Sequence, residues 1–299
     1  MDKSLIKVDD LLGVGKASGK LIDVIARGCG HIYKDWAGPI AEARKIKILS
    51  AAQTETKHNE IIEQTTSLLE ADAIVQRTGR RLLVREIRRQ NNIERVISLT
   101  AEEISGASVS EEPVSTDWAT RFFDIAQDIS DEKVQKIWSK ILSGEIKKSG
   151  SFSLRTLEIL KNITEQEAKL FAENVCPLVL YGEFVARLDS QVSLDKYNLH
   201  YGMVLKMRES GLINEGDSTV RTFPNIKDKL FILPCGVQKI ELISARERFE
   251  ILALVLTTAG KELYKIQDFK ENKVYLEELK KHLLKNGFIE KESQPIATV

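Results

Sequence analysis

"STDWATRFFDIAQDISDEKVQKIWSKILSGEIKKSGSFSLRTLEIL", Ser115 to Leu160, decides the fold class. Trp118, Phe122 and Ile125 recur at helical spacing, and Val134, Ile137, Trp138, Ile141 and Leu142 make a second apolar face of the same period. Ser130 reads as the N-cap between them, with Asp131 and Glu132 in the first turn, where carboxylates suit the helix dipole. Gly144 or Gly150 ends that helix, and Ser151 or Ser153 caps the next, through Leu154, Leu157 and Leu160. Thr164 to Glu167 is a capping box for another. A compact helical module over 113–172 is expected. Asp124, Asp128 and Asp131 share a helical face, but capping and charge pairing account for them with no metal.

Working toward the N-terminus, "SGASVSEEPVS" (Ser105 to Ser115) is small, polar and closed by a proline, as a linker is. Before it, residues 39–106 read as a long helical arm or hairpin, starting at Pro39 and broken or kinked near Gly79. Arginine gathers after that glycine. "RTGRRLLVREIRRQNNIER", Arg77 to Arg95, carries seven arginines opposed only by Glu86 and Glu94, and Arg81, Arg85 and Arg88 share one face. Such a face either holds phosphates, of nucleic acid or lipid, or is solvated and pairs with acidic residues of a neighbouring helix.

Residues 1–38 read as an amphipathic, glycine-rich N-terminal helix. Lys16, Lys20, Asp23, Arg27 and Lys34 fall on one narrow stripe, while Leu21, Ile22, Ile25, Cys29, Ile32 and Trp36 lie opposite. Gly15 and Gly19 make a small-residue pair that allows close helix approach. An apolar arc this wide must be buried, whether against the protein's own body, a lipid surface or another copy. The glycines here do not make a nucleotide loop: counting back from Gly19 and Lys20, Val14 stands where a phosphate loop needs its first glycine, and Leu21 where it needs a hydroxyl.

Past residue 172 the pattern changes. "LHYGMVLKMRESGLI" (199–213) is a helix ending at Gly211, "KLFILP", "QKIELIS" and "RFEILALVLTT" are strand-like, and "NKVYLEELKKHLLKNGFIEKE" is a helix closed by Gly287. Residues 173–299 are therefore expected to form an α+β domain, and the order helix, turn, β run and "LTTAGKEL" (256–263) resembles the second half of a winged helix. Lys206 and Arg208 against Glu209 and Asp195 are few donors for a DNA reader, so a protein-binding wing is the expectation. The whole chain reads as mainly α, with a helical arm, a helical middle module and this winged-helix-like domain.

The balance of 44 Lys+Arg against 44 Asp+Glu points to no bulk attraction for polyanions, so any such surface must be local. Three scattered cysteines, Cys29, Cys176 and Cys235, fit a reducing cytoplasm. The four histidines, His31, His58, His200 and His282, have no metal-ligand spacing, and no nucleophile elbow occurs. Neither a cofactor, a metal nor a small-molecule substrate is expected, and a non-enzymatic protein is.

The stretches "RRQNNIERVI" (88–97), "EPVSTDWATRFF" (112–123), "DISDEKVQKIWSKILSGEI" (128–146) and "GSFSLRTLEIL" (150–160) together resemble a bacterial family known only as a domain of unknown function. The likeness runs to about residue 172; Ser149 and Ser143 stand where that family usually has proline and alanine. It implies a bacterial or prophage cytoplasmic protein and carries over no catalytic residues. The glycine-rich start and "LTTAGKEL" are more loosely similar to abortive-infection proteins that act against phage. That likeness implies a defence protein working through a protein partner or self-association, at or near the inner membrane, with the N-terminal helix entering lipid. The alternatives are a nucleic-acid-binding regulator using the basic helix and the wing, or an oligomeric scaffold.

Overall fold

The computed structural model describes residues 20–25 and 27, 73–188, 194–216 and 219–290. The chain forms two compact units, Met1–Leu157 and Glu158–Val299. Their boundary falls inside a helix, ahead of the division at 172 and 173 read from the sequence.

The first unit is helical. Helix α1 spans Ala73–Ile104, α2 Thr116–Ala126, α3 Glu132–Lys147, and α4 begins at Leu154 and continues to Asn162. The break expected near Gly79 does not occur, because the leucines and arginines around it are good helix formers that offset the roughly 1 kcal/mol a glycine costs. Ser115 caps α2 by accepting from the Trp118 amide. Asp131 caps α3 in place of the expected Ser130: its carboxylate takes the Lys133 and Val134 amides, and the Ser130 hydroxyl receives the Asn92 side chain instead.

The core collects one face of each helix. Ile93, Val96, Ile97 and Ile104 of α1 are buried with Trp118, Phe122 and Phe123 of α2 and Trp138, Ile141, Leu142 and Ile146 of α3. The Phe122 ring lies 5.2 Å from both Trp118 and Trp138. Residues 20–25 are helical, and their Leu21, Val24 and Ile25 are wholly buried. The Lys20 ammonium donates to the Ser110 carbonyl at 2.7 Å, fixing the segment to the linker.

Two recurring motifs of the first unit explain each other. A Cβ at Gly144 would sit 2.6 Å from the Phe152 ring, so only glycine admits that ring. The buried Glu145 next to it accepts from the Gly150 amide at 2.6 Å and the Phe152 amide at 3.1 Å. "LSGE" and "GSF" are thus two halves of one clasp that closes the α3–α4 turn.

The second unit starts with the rest of α4 and with α5 (Glu165–Leu170), capped by the Thr164–Glu167 box, then a π turn (Phe171–Val175) and a 3-10 turn (Cys176–Leu178). Strands β1 (Val179–Leu180) and β2 (Phe184–Arg187), helix α6 (Tyr201–Glu209), strands β3 (Thr219–Pro224), β4 (Leu230–Cys235), β5 (Gln238–Ser244) and β6 (Arg248–Val255), helices α7 (Thr258–Tyr264) and α8 (Lys273–Lys285), and β7 (Phe288–Glu290) follow. One antiparallel sheet runs β1-β2-β6-β3, the other β4-β5-β7. Phe223 and Phe249 of the first meet Phe231 and Phe288 of the second at centroid distances of 5.0–6.4 Å, so an aromatic layer joins the sheets. Mainly α with a C-terminal α+β unit is the architecture.

"LTTAGKEL" has a packing reason. Thr257 caps α7 by accepting from the Gly260 amide at 3.1 Å while its hydroxyl donates to the Gly211 carbonyl at 2.6 Å. A Cβ at Gly260 would lie 2.2 Å from the Leu212 carbonyl oxygen, so the glycine permits that approach.

Candidate functional site

The C-terminal half of α1 is held on three sides of a polar clamp. Asn92, buried, donates to the Gln127 carbonyl at 2.8 Å and to Ser130 at 3.1 Å, and Gln135 donates to the Ile129 carbonyl at 2.8 Å. Arg89 grips Asp128 with two hydrogen bonds, at 2.8 and 3.0 Å. That grip lowers the Asp128 pKa and raises that of Arg89. All these contacts reach the α2–α3 corner, residues 127–131, so the corner stands at the level of residues 89–92. Residues 73–88 therefore overhang it by about 24 Å at 1.5 Å per residue.

Much of this stretch is exposed, with Leu83 and Ile87 half-buried. Ile74, Val75, Leu82 and Val84 are 41–62% exposed, although large aliphatic side chains usually find cover. Because α1 is continuous, its arginines can be placed by helical geometry. At about 100° per residue, Arg77, Arg81, Arg85, Arg88 and Arg95 fall within an arc of about 80°, while Glu86 and Glu94 face away from it. From Arg77 to Arg95 the row is about 27 Å long. Arg77, Arg81, Arg85 and Arg88 are exposed and Arg95 is half-buried. Among the described residues, Arg81 and Arg88 form no salt bridge, whereas Arg85 reaches Glu86 at 2.9 Å.

Of the sequence-derived site residues, Arg81, Arg85 and Arg88 do share a face. Leu21 and Ile25 lie in the core, Ile22 is half-buried, Lys20 is tied to Ser110, and Arg27 turns outward to Asp23 at 2.8 Å. Gly15, Lys16, Gly19, Ile32 and Trp36 lie outside the described residues. The Arg89–Asp128 grip and the Asn92 clamp went unread in the sequence. Their signal was the pairing of "RRQNN" with "DISDEKVQ", two polar runs that make sense only when brought together.

Other chemistry is sparse. Asp128 is taken by Arg89 and Asp131 by its cap, so two of the three acids serve structure. Burial pushes the Cys176 thiol up, and the Cys235 thiol up to about 12, which keeps both protonated and poor nucleophiles. His200 leans on Asp195 at 3.0 Å at the surface. A cavity of about 480 Å³, lined by Ala172, Glu173, Pro177, Asp268, Phe269 and Lys270, gathers both signs of charge and no nucleophile. Among the described residues no group of His, Cys, Asp and Glu gathers that could hold a metal, and no helix is long and apolar enough to cross a membrane.

Residues 76–188 match the model of a family described as "Protein of unknown function (DUF2806)". That span holds the arginine row, the clamp and the Glu145 clasp. No curated protein and no solved structure matches the chain.

Proposed function

We propose that this chain is a non-enzymatic binding protein whose working surface is the overhanging arginine row of α1, and that its ligand is the phosphate backbone of nucleic acid. The observation that carries the reading is the row itself: five arginines on one arc of a helix, four of them exposed, with Glu94 on the far side and Glu86 engaging only Arg85 of the row. The neutral overall charge makes this local concentration the more telling. Guanidinium groups suit phosphate because they offer paired donors and stay charged. Binding of a fluorescent oligonucleotide by the full chain, and its loss when Arg81, Arg85 and Arg88 are all changed to alanine, tests the reading. An Arg155→Ala change, at an exposed arginine of α4, serves as the control and should leave binding unaltered.

The lipid reading remains a second proposal, supported by the apolar composition of residues 11–38. It now requires a release step: Leu21, Val24 and Ile25 must leave the core, at about 1.5–3 kcal/mol each. Flotation with anionic liposomes, comparing the full chain, a deletion of residues 1–38 and Ile25→Asp, tests it; binding lost in both variants would favour it, and equal binding by all three would remove it. Anti-phage defence by way of a protein partner is a proposal of the same standing, tested by challenging cells with phage with and without the gene.

The winged-helix-like reading of the second unit is supported by the order of α6, the Gly211 turn, the Ile213–Leu256 bridge and α7 after β6. α6 exposes Tyr201 and Leu205, and Arg208 spends one nitrogen on the Gly216 carbonyl at 2.8 Å. That surface suits contact with protein better than with phosphate.

A further inference from the structure

We infer that the arginine row takes the backbone of a nucleic-acid duplex, and that it discriminates against single strands; this rests on the phosphate-binding reading above. Three observations converge. First, between Ala73 and Ile104 there is no Phe, Tyr, Trp or His. Surfaces that hold single strands add aromatic side chains on which unpaired bases stack, and that stacking repays the ordering of a flexible strand. This helix offers no such platform.

Second, the row lies on one continuous helix. The helix is anchored by the Asn92 clamp and the Arg89–Asp128 pair, so the backbone that carries the arginines is formed before any ligand arrives. A duplex is stiff, with a persistence length of about 150 base pairs, and its phosphates keep a fixed spacing of about 3.4 Å along the axis for each strand. A row of about 27 Å matches the axial rise of about eight base pairs, over which each strand's backbone winds past it. Two preformed surfaces meet without the entropy cost that a single strand would carry.

Third, the arc is narrow. At about 80° it presents its guanidinium groups to one side of a duplex, meeting the backbones where they wind past it, and the far side of the helix carries Val75, Leu82 and Glu86, which would not suit a groove lined with polar base edges. The helix therefore lies along the outside of the duplex. Binding follows backbone shape and not base sequence. Duplex DNA and duplex RNA share the required chemistry.

The test is a competition experiment with the full chain, using oligonucleotides of roughly 20 nucleotides, long enough to extend past the row on both sides. The arms are a mixed-sequence duplex DNA, its RNA counterpart, and each strand alone. The expected result is duplex binding at least about tenfold tighter than either strand, insensitive to sequence, and lost in the triple arginine variant while its melting temperature stays unchanged. Whichever duplex binds more tightly identifies the source of the backbone. Glu86→Gln supplies a gain-of-function check: it removes the carboxylate that engages Arg85, and the duplex should bind more tightly. Single strands binding as well as the duplex would overturn the inference and leave the phosphate reading standing. No binding in any arm, or binding untouched by the arginine changes, would overturn both.

Discussion

Single buried polar groups set the fine structure of this protein, and their removal has calculable consequences. Glu145 supplies both acceptors for the Gly150 and Phe152 amides. Glu145→Ala should cost about 3 kcal/mol in urea unfolding, since hydrogen bonds to charged groups are worth roughly 1.5–3 kcal/mol each and part of the loss is recovered by relaxation. A loss below about 0.5 kcal/mol would mean the clasp is ornamental. Tyr275 is the counterpart in the second unit: its buried hydroxyl accepts from the Ala186 amide at 2.9 Å and donates to the Ala186 carbonyl at 3.0 Å. Tyr275→Phe leaves both orphaned and should destabilise by about 1–3 kcal/mol. Asp128 adds a pH signature. Its pKa is lowered in the folded state by the Arg89 hydrogen bond, so its stabilising contribution is complete above the ordinary aspartate value of about 3.9 and is lost as pH falls through the lower folded value. The melting temperature of wild type should exceed that of Asp128→Asn near neutral pH, and the gap should close in acid below about pH 3.9.

Among the elements, the N-terminal segment and α1 show how far periodicity can be trusted. The wheel of residues 15–36 separated charge from apolar surface, and Leu21 and Ile25 are indeed shielded, but which body shields them was not contained in the wheel. The answer lies in tertiary contacts, of which the Lys20 ammonium donating to the Ser110 carbonyl is one. Leu21→Ala should cost about 2–5 kcal/mol, the usual range for a large-to-small change in a core, as read by thermal unfolding. No change in stability would mean the segment is only loosely applied. The second unit tells the complementary story. β4, β5, β6, α6 and α8 were legible because each has its own period, and a glycine follows β4, α6 and α8. β1, β2, β3 and β7 were not: two to six residues long, they carry too few repeats to show a period, and Thr219–Pro224 is mostly exposed, so it lacks the alternation that marks a half-buried strand. The α8 cap, Asn272 accepting from the Tyr275 amide at 3.0 Å, was implicit in "NKVY", and Asn272→Ala should lower stability by about 1 kcal/mol.

For the whole molecule, the site was more legible than its support. Seven arginines in one run announce themselves, and the face that five of them share follows from spacing alone. What the spacing could not show is how far α1 extends past the α2–α3 corner, because that depends on where the corner lands. Arg89, indistinguishable from its neighbours in sequence, is withdrawn from the binding row by Asp128, a residue 39 positions away. The account therefore stands on the charge count of the row. The most direct measurement is the slope of log affinity for duplex DNA against log salt. Each phosphate contact contributes about −0.9, so five arginines predict about −4.5, and the Arg81, Arg85, Arg88 triple alanine variant, whose binding survives only at low salt, about −1.8 there. A slope near zero for the wild type, or the same slope for both proteins, would contradict the account.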